Sequence, residues 1–534
     1  MLGYFKYQGK KQKGECIQMR KQTKLAVGVS AAALLAIGAS MTSFAANRGW
    51  TNEGDAWYYY DNSGDYVTDK WKSYNGNYFY LGEEGYMLTN ELIEDGENYY
   101  YVDANGAMVK NTWVMIAADE DETEDVDYRW YYFGPSGKAY KNTMGKNING
   151  KKYGFDQDGK MYFGFIGADG TSYNNEEDPI MQCTYYYGTN DDGARTTNTW
   201  LRYEDGISDA YRDDNGEEYD DDFYFFRFGS DGKKITGKDC KKVNGQKYCF
   251  DTYGVMTTAF TNASSLTSAS ETRYFSENLE DGSLKKNEWI RTSMPDAWED
   301  AVNDKTYRGN AWDEDDHWFR TDNNGKLIAN QTKRIGPKWY VFNSDGVMQD
   351  GLVYITDAHK VKDANKSNFV GTISAIDEDA KDAEYIYGLD FANNALFYFS
   401  ADEEKDGSMK TGSTVKISLN DDDYTFKFKK TSGEAVHGVD SHKLYDHGIL
   451  QDAGDDTYAE VILHTADGHD GTAKFLVNKS GTICKEGKTY KDANDYYWAV
   501  AKKISDDEND GYDIERCDTK EKADEYVRIH KATK

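Results

Sequence analysis

The feature that most constrains this chain is a short aromatic pattern that recurs between Gly-marked breaks. Near the start it reads Trp50…Trp57-Tyr58-Tyr59-Tyr60…Gly64, then Trp71…Tyr78-Phe79-Tyr80-Leu81…Gly85. It continues as Leu92…Tyr99-Tyr100-Tyr101-Val102…Gly106-Ala107-Met108, a period of about 21 residues. Each unit is an alternating run, a tight turn such as Asn75-Gly76 or Gly54-Asp55, a second alternating run and a connector. Asn-Gly between β-forming runs is the strongest short hairpin signal, because the favoured turn needs positive φ at both positions. A lone hairpin is marginal in water, so such units must stack, each burying one face on its neighbour. The expected fold is all-β, a solenoid of tandem β-hairpins.

A larger period lies over the small one. The pattern at Trp113 recurs at Trp200 and Trp289, in steps of 87 and 89 residues. Each block opens with a hairpin whose loop is swollen by acid, such as Asp119 to Asp127 or Asp213 to Asp222. A short hairpin follows (Tyr153-Gly154-Phe155 after Asn149-Gly150, Tyr248-Cys249-Phe250 after Asn244-Gly245), then a third (Tyr185-Tyr186-Tyr187 or Tyr274-Phe275). The expected divisions are short hairpin repeats over 46–112 and three-hairpin blocks over 113–199, 200–288 and 289–410. The last block is stretched by an insert near Val353 to Asn394. Residues 411–534 read as degenerate repeats, with strands at Tyr424 to Phe428, Lys474 to Val477 and Tyr496 to Trp498, and a charged C-terminal tail.

Composition has to be reconciled with that order. Net charge is −31, and Leu, Ile, Val and Phe are only about a sixth of the chain, a profile typical of disorder. Yet 44 Tyr and 12 Trp recur at regular spacing, and each such ring brings a large area to bury. Four prolines are too few for an extended linker. The acidity argues against nucleic acid as a partner and favours cationic ligands.

Residues 1–45 are expected to be a cleaved signal peptide: a basic patch at Arg20 to Lys24, an apolar run from Leu25 to Ile37, and a small-x-small site at Ser43-Phe44-Ala45. Translation is expected to start at Met19, close to the basic patch. The apolar run is short for a bilayer span, no second one follows, and His530 to Lys534 carry no sorting or lipid-anchor signal. The mature chain is thus expected to be exported, with no membrane span.

The pattern Trp-x4-Gly-x-(Trp/Tyr)-Tyr-Tyr-(Leu/Phe)-x3-Gly-x-Met resembles the cell-wall-binding, or choline-binding, repeat family, whose related repeats form the receptor-binding arms of large glucosylating toxins. The resemblance covers Trp50 to about Gly351 well and the rest weakly. It implies a hairpin solenoid that holds choline on teichoic acid, or another cell-surface glycan, between successive hairpins.

Register separates two faces. Around Asn75-Gly76, Trp71 lies opposite Tyr80, and alternation puts Tyr78 on the same face. The candidate ligand trios are Trp50, Trp57 and Tyr59; Trp71, Tyr78 and Tyr80; and Trp113, Trp130 and Tyr132. The other face carries Tyr58 with Tyr60, Phe79 with Leu81, Tyr100 with Val102, and Tyr131 with Phe133. That second face persists in later hairpins (Tyr153 with Phe155, Tyr248 with Phe250, Tyr340 with Phe342), whereas the first becomes Gly145, Lys152 and Gly154, then Cys240, Lys247 and Cys249. A core must persist wherever the stack continues, so the second face is expected to be core and the first an open aromatic face for a quaternary ammonium. The same register puts Cys240 directly opposite Cys249 in a non-hydrogen-bonded pair, within disulfide reach. Cys183, Cys484 and Cys517 have no such partners.

Other motifs carry less. His437, His442 and His447, with His464 and His469 beyond, sit in Gly- and Asp-rich sequence and read as exposed loop rather than a metal site. The acidic loops lack the terminal bidentate Glu of calcium loops and read as solvated. No Gly-x-Ser-x-Gly elbow, His-Glu-x-x-His helix or phosphate-binding Gly loop is present. No cofactor, metal or catalytic residue is therefore expected. The expected function is non-catalytic binding of cell-wall polymer by a secreted protein held non-covalently on the wall. The alternative is a cell-wall hydrolase or toxin-like effector whose catalytic domain lies unrecognised after Gly351.

Overall fold

The computed structural model describes residues 4–7 and 48–531, apart from 120–123, 125, 215, 217, 238–239, 262–270, 295–314, 357–371, 401–406 and 467. Met19 and the export segment from Arg20 to Ala45 lie outside the described residues, as do parts of both acidic loops. The chain divides into two compact units: one of residues 1–257 with 277–282, the other of 258–276 with 283–534.

The first unit is a succession of antiparallel hairpins. Gly49–Glu53 pairs with Ala56–Tyr60, Lys70–Tyr74 with Asn77–Leu81, Glu91–Asp95 with Asn98–Val102, Thr112–Ala117 with Tyr128–Phe133, and Thr143–Ile148 with Lys151–Phe155. The turns are those the sequence demands: Asn75 and Gly76 take φ of 48° and 81°, and Asn244 and Gly245 take 49° and 90°. Trp50 lies opposite Tyr59, Trp71 opposite Tyr80 and Trp113 opposite Tyr132. Cys240 and Cys249 are joined by a disulfide.

Two local devices make the hairpins repeat. The residue just before the first strand is Asp69, Asn90, Asn111, Asn142 or Asn198, each left-handed with φ near 50°. Asx tolerates that conformation, and the bend aims its N–H back at the end of its own hairpin: Asn90 N–H donates to the Asp103 carbonyl at 3.0 Å, Asn142 N–H to that of Asp156 at 2.7 Å. The connector that follows is folded by one side-chain oxygen. Asp103 Oδ1 accepts from the backbone N–H of Asn105 and Ala107, Asp156 Oδ1 from Asp158 and Lys160, and Asn343 Oδ1 from Asp345 and Val347.

The connector also ties each hairpin to the one before it. Met87 N–H donates to the Trp57 carbonyl, Met108 to Tyr78, Ala139 to Tyr99 and Met161 to Trp130, all at 2.7–2.8 Å. Gly106, at φ +75°, lets the connector lie on the previous one, since a Cβ there would come within 2.7 Å of the Met87 thioether. Between these backbone ties sits the core: Phe79, Leu81, Val102, Phe133 and Phe155 are inaccessible to solvent.

The second unit begins in the same style, with Trp289–Thr292 paired to His317–Arg320 and Gln331–Ile335 to Lys338–Phe342. It then broadens. Gly351–Ile355 pairs with both Ile373–Ala375 and Ala395–Phe399, and five strands between Thr414 and Gln451 form one sheet. Connector bonds of the same kind recur here: Ala435 N–H donates to the Leu396 carbonyl at 2.7 Å and Ile483 N–H to that of His442 at 3.0 Å. The expected strands fall at Asp422–Lys427, Ala473–Asn478 and Tyr497–Lys503. The C-terminus departs from the expected charged tail: Lys520–His530 is a helix capped by the Thr519 side chain, with Ala523 and Val527 buried against Ala499 and Cys517. None of the described helices is long and apolar enough to cross a membrane.

Candidate functional site

The first unit's aromatic trios are not arranged as an open face over a separate core. Each Trp spans from its own hairpin to a ring of the next. Trp50 meets Tyr59 at 5.5 Å between ring centroids and Phe79 of the second hairpin at 5.4 Å. Trp71 meets Tyr80 at 5.0 Å and Tyr100 of the third hairpin at 5.2 Å. Trp113 meets Tyr132 at 5.1 Å, Trp130 at 6.4 Å and Tyr153 of the fifth hairpin at 4.8 Å. The second-face rings, expected as pure core, thus supply one wall of each aromatic cluster. Trp50 is only 6% exposed, and Trp200, which belongs to no trio, docks on Tyr248 in the same way at 5.0 Å. Trp289 meets Tyr340 likewise at 4.9 Å, so edge-to-face contact of a Trp with a ring of a following hairpin is part of the packing wherever these Trp residues stand.

The Trp71 cluster is the best formed of the half-buried ones. Its three rings meet edge to face, and the indole Nε1–H donates to Asp95 Oδ2 at 3.1 Å, which holds the ring plane. Burial, with Asp69 and Asp95 nearby, pushes the Tyr80 phenol up; burial and Asp95 do the same for Tyr100. Both rings stay neutral, and Asp95 places a negative charge at the edge of the cluster. Tyr78 points elsewhere: it is 44% exposed, with Lys110 Nζ 4.9 Å over its ring. Lys72 Nζ lies 4.6 Å over Tyr59, and Lys146 Nζ 4.2 Å over Tyr140, which itself stacks on Tyr132 at 5.3 Å. The chain's own ammonium groups thus already use these tyrosine faces as cation sites. Sequence reasoning missed Tyr66, Tyr86 and Tyr140: they lie in the connectors rather than in the hairpin strands, and Tyr66 and Tyr86 are exposed.

Where the trio is depleted, the space is filled from within. A Cβ at Gly154 would lie 2.6 Å from Tyr162 and 3.0 Å from the Tyr187 hydroxyl, and Tyr187 is fully buried with its hydroxyl donating to the Met144 carbonyl. Gly is needed there because two tyrosines from the following segment occupy the position. One block further on, the Cys240–Cys249 disulfide occupies the equivalent positions.

Two sequence expectations need correction. The first acidic loop is not simply solvated: Glu124 folds inward, pairs with buried Arg129 at 2.8 Å and accepts from Ser172 and from Asn174 Nδ2. In the second loop, Asp214 accepts from Thr252 Oγ1 at 2.7 Å. Nor are the histidines one exposed loop. His442 and His469 are exposed, but His447 is inaccessible and sits beside Asp446 with His437 and His464 around it. They converge because a left-handed His447-Gly448 turn folds the chain between Lys443–Asp446 and Ile449–Gln451, a contact that regular spacing along the sequence does not reveal.

The autolysin LytC of Streptococcus pneumoniae, solved with a synthetic peptidoglycan ligand, is 17% identical over 57% of this chain and 54% of its own, with a TM-score of 0.31. This chain therefore spans about half the length of that autolysin. Choline binding protein F of Streptococcus pneumoniae is 15% identical over 74% of this chain and 100% of its own, at a TM-score of 0.25. CbpJ of the same species is 14% identical over 73% and 100%, at 0.27. No curated protein sequence matches the chain. Residues 67–113, from the connector before the second hairpin to Trp113, match the choline-binding repeat, and the Trp71, Tyr80 and Tyr100 rings lie inside that segment. Over residues 67–113, then, this chain carries a choline-binding repeat.

Proposed function

We propose that this is a secreted, non-catalytic cell-surface protein that holds the choline of teichoic acid, or a related cell-wall glycan, at aromatic sites between its first hairpins. The observation that carries this reading is that the segment matching the choline-binding repeat contains a three-ring cluster drawn from two successive hairpins, with a carboxylate at its edge. A quaternary ammonium is attracted to such ring faces by about 0.5–2 kcal/mol per ring, and Asp95 adds a complementary charge. Trp57, Tyr59, Trp113, Trp130 and Tyr132 form the flanking sites, and Trp50 is the buried support of Trp57 and Tyr59. The net charge of −31 suits a cationic ligand.

The mature chain should be retained on a choline-substituted matrix, and on cells, and be released by free choline. Trp71→Ala and Tyr100→Ala should each weaken choline binding about tenfold, the loss of one well-placed ring. Undiminished retention in both variants, or release from cells only by protease or muramidase, would overturn the choline reading. A clearing zone on a peptidoglycan gel would overturn the non-catalytic one.

A further inference from the structure

In the second unit, far along the sequence from the aromatic clusters, one carboxylate sits among three imidazoles. Asp446 ends the strand Lys443–Asp446, His447 begins the turn after it, His437 precedes the strand Gly438–Asp440, and His464 follows Tyr458–Leu463. Asp446 is 1% exposed and His447 not at all, while His437 and His464 stand half-buried at the mouth. Asp446 Oδ1 lies 2.6 Å from His447 Nδ1 and 3.3 Å from His437 Nδ1; Oδ2 lies 2.6 Å from His464 Nδ1 and accepts the His464 backbone N–H at 3.2 Å. Phe391 packs on His447 at 4.3 Å and Tyr387 stacks on His464 at 5.0 Å, so the surroundings are aromatic.

Three observations make this more than a hydrogen-bond network. A buried charge must be paired or coordinate a metal, and among the described residues Asp446 has these imidazoles and no Lys or Arg beside it. His437 Nδ1 accepts the His447 backbone N–H at 3.3 Å, so its lone pair is on that nitrogen; it then faces a carboxylate oxygen with no proton of its own to share. Two acceptors held 3.3 Å apart match the ligand-to-ligand edge, about 3.3–3.4 Å, of a tetrahedron with the 2.0–2.1 Å bonds of zinc. Finally, His447 Nε2 is buried without a hydrogen-bond partner, so the Nδ1 contact to Asp446 is the polar tie that holds this inaccessible ring.

We propose that His437, Asp446 and His447 bind a divalent transition cation of the zinc class, with His464 as a fourth ligand or as the group that orients the carboxylate. The donor atoms of the first three residues lie within 4.8 Å of one another, and the imidazole-rich set favours zinc over calcium or magnesium. On binding, the 2.6 Å contacts open to the longer edge and the cation takes the place of the shared protons. The site ties the five-stranded sheet to the strand that ends at Leu463, so its role is to brace the second unit.

The test uses the untagged full chain, stripped with chelator and titrated with zinc chloride by calorimetry and with cobalt chloride by visible absorption. One zinc per chain and the bands of tetrahedral cobalt are expected. Loss of one ligand should weaken binding at least about 100-fold in His437→Gln and in Asp446→Asn, the upper end of the roughly 10–100-fold that loss of an outer-shell partner alone costs. His442→Ala and His469→Ala, which alter the exposed histidines, should leave it within about twofold, the effect expected at a site they do not touch. His437 is half-buried, so its variant should fold even if the Asp446 variant does not. Absence of stoichiometric binding by the wild-type chain, unchanged affinity in His437→Gln, or loss of binding in the His442 and His469 variants would each overturn the proposal.

Discussion

Asp251 offers a pH-dependent test of how the connectors are built. Its Oδ1 accepts the backbone N–H groups of Tyr253, Gly254 and Val255, and its Oδ2 accepts from the Tyr219 hydroxyl. Four donors should favour the carboxylate. Burial opposes them: Asp251 is 4% exposed, and desolvation, with Asp214 nearby, outweighs the hydrogen bonds and pushes the carboxyl up to about 6. The unfolded chain titrates near 3.9, so the folded state holds its proton longer. Its contribution to stability is fully present below about pH 4 and is lost as the pH rises toward and through 6. About two pH units at 1.36 kcal/mol each sets the loss at about 3 kcal/mol. Asp251→Asn removes the titration while keeping the acceptor, and the fold accepts Asn in this role, since Asn343 and Asn478 make the same connector bonds. Urea unfolding of both chains at pH 4 and pH 8 isolates the effect, because every other group cancels in the difference. The variant should gain about 2–3 kcal/mol on the wild type between the two pH values. A difference that does not change with pH, or that favours the wild type more at pH 8, would show that the four donors win and that the carboxylate is comfortable in the fold.

Two further outcomes follow from the packing. Tyr248→Ala should cost about 3–5 kcal/mol, because Tyr248 is buried against Trp200; a shift no larger than that of an exposed ring such as Tyr78→Ala would refute its place in the core. The Cys240–Cys249 bond closes a loop with a sequence separation of 9, so reducing it should destabilise the hairpin by about 2–3 kcal/mol. Peptide mapping without reductant should recover the two cysteines linked, and alkylation of both in the unreduced protein would rule the bond out.

The sequence by itself determined the hairpins. Asn75-Gly76, Asn149-Gly150 and Asn244-Gly245 demand one turn type, and a two-residue turn leaves a single register, so Trp71 opposite Tyr80 follows from local chemistry alone. The all-β class and the choline-binding resemblance came from the same repeated residues. What lay between hairpins was not legible. The partner of Trp71 is Tyr100, which alternation had assigned to a separate core face, because the rotation of one hairpin on the next is set by connector bonds such as Met108 N–H to Tyr78, some thirty residues back. The C-terminal helix had a legible signal in Thr519 and the Ala523–Val527 spacing, but its charges read as a tail until Ala499 and Cys517 supplied the surface it covers. The histidines show the limit most plainly. Their spacing suggested an exposed loop, and only the sheet, by folding a buried aspartate against residues up to 18 positions away, decided that three of them share one carboxylate while two stay in solvent.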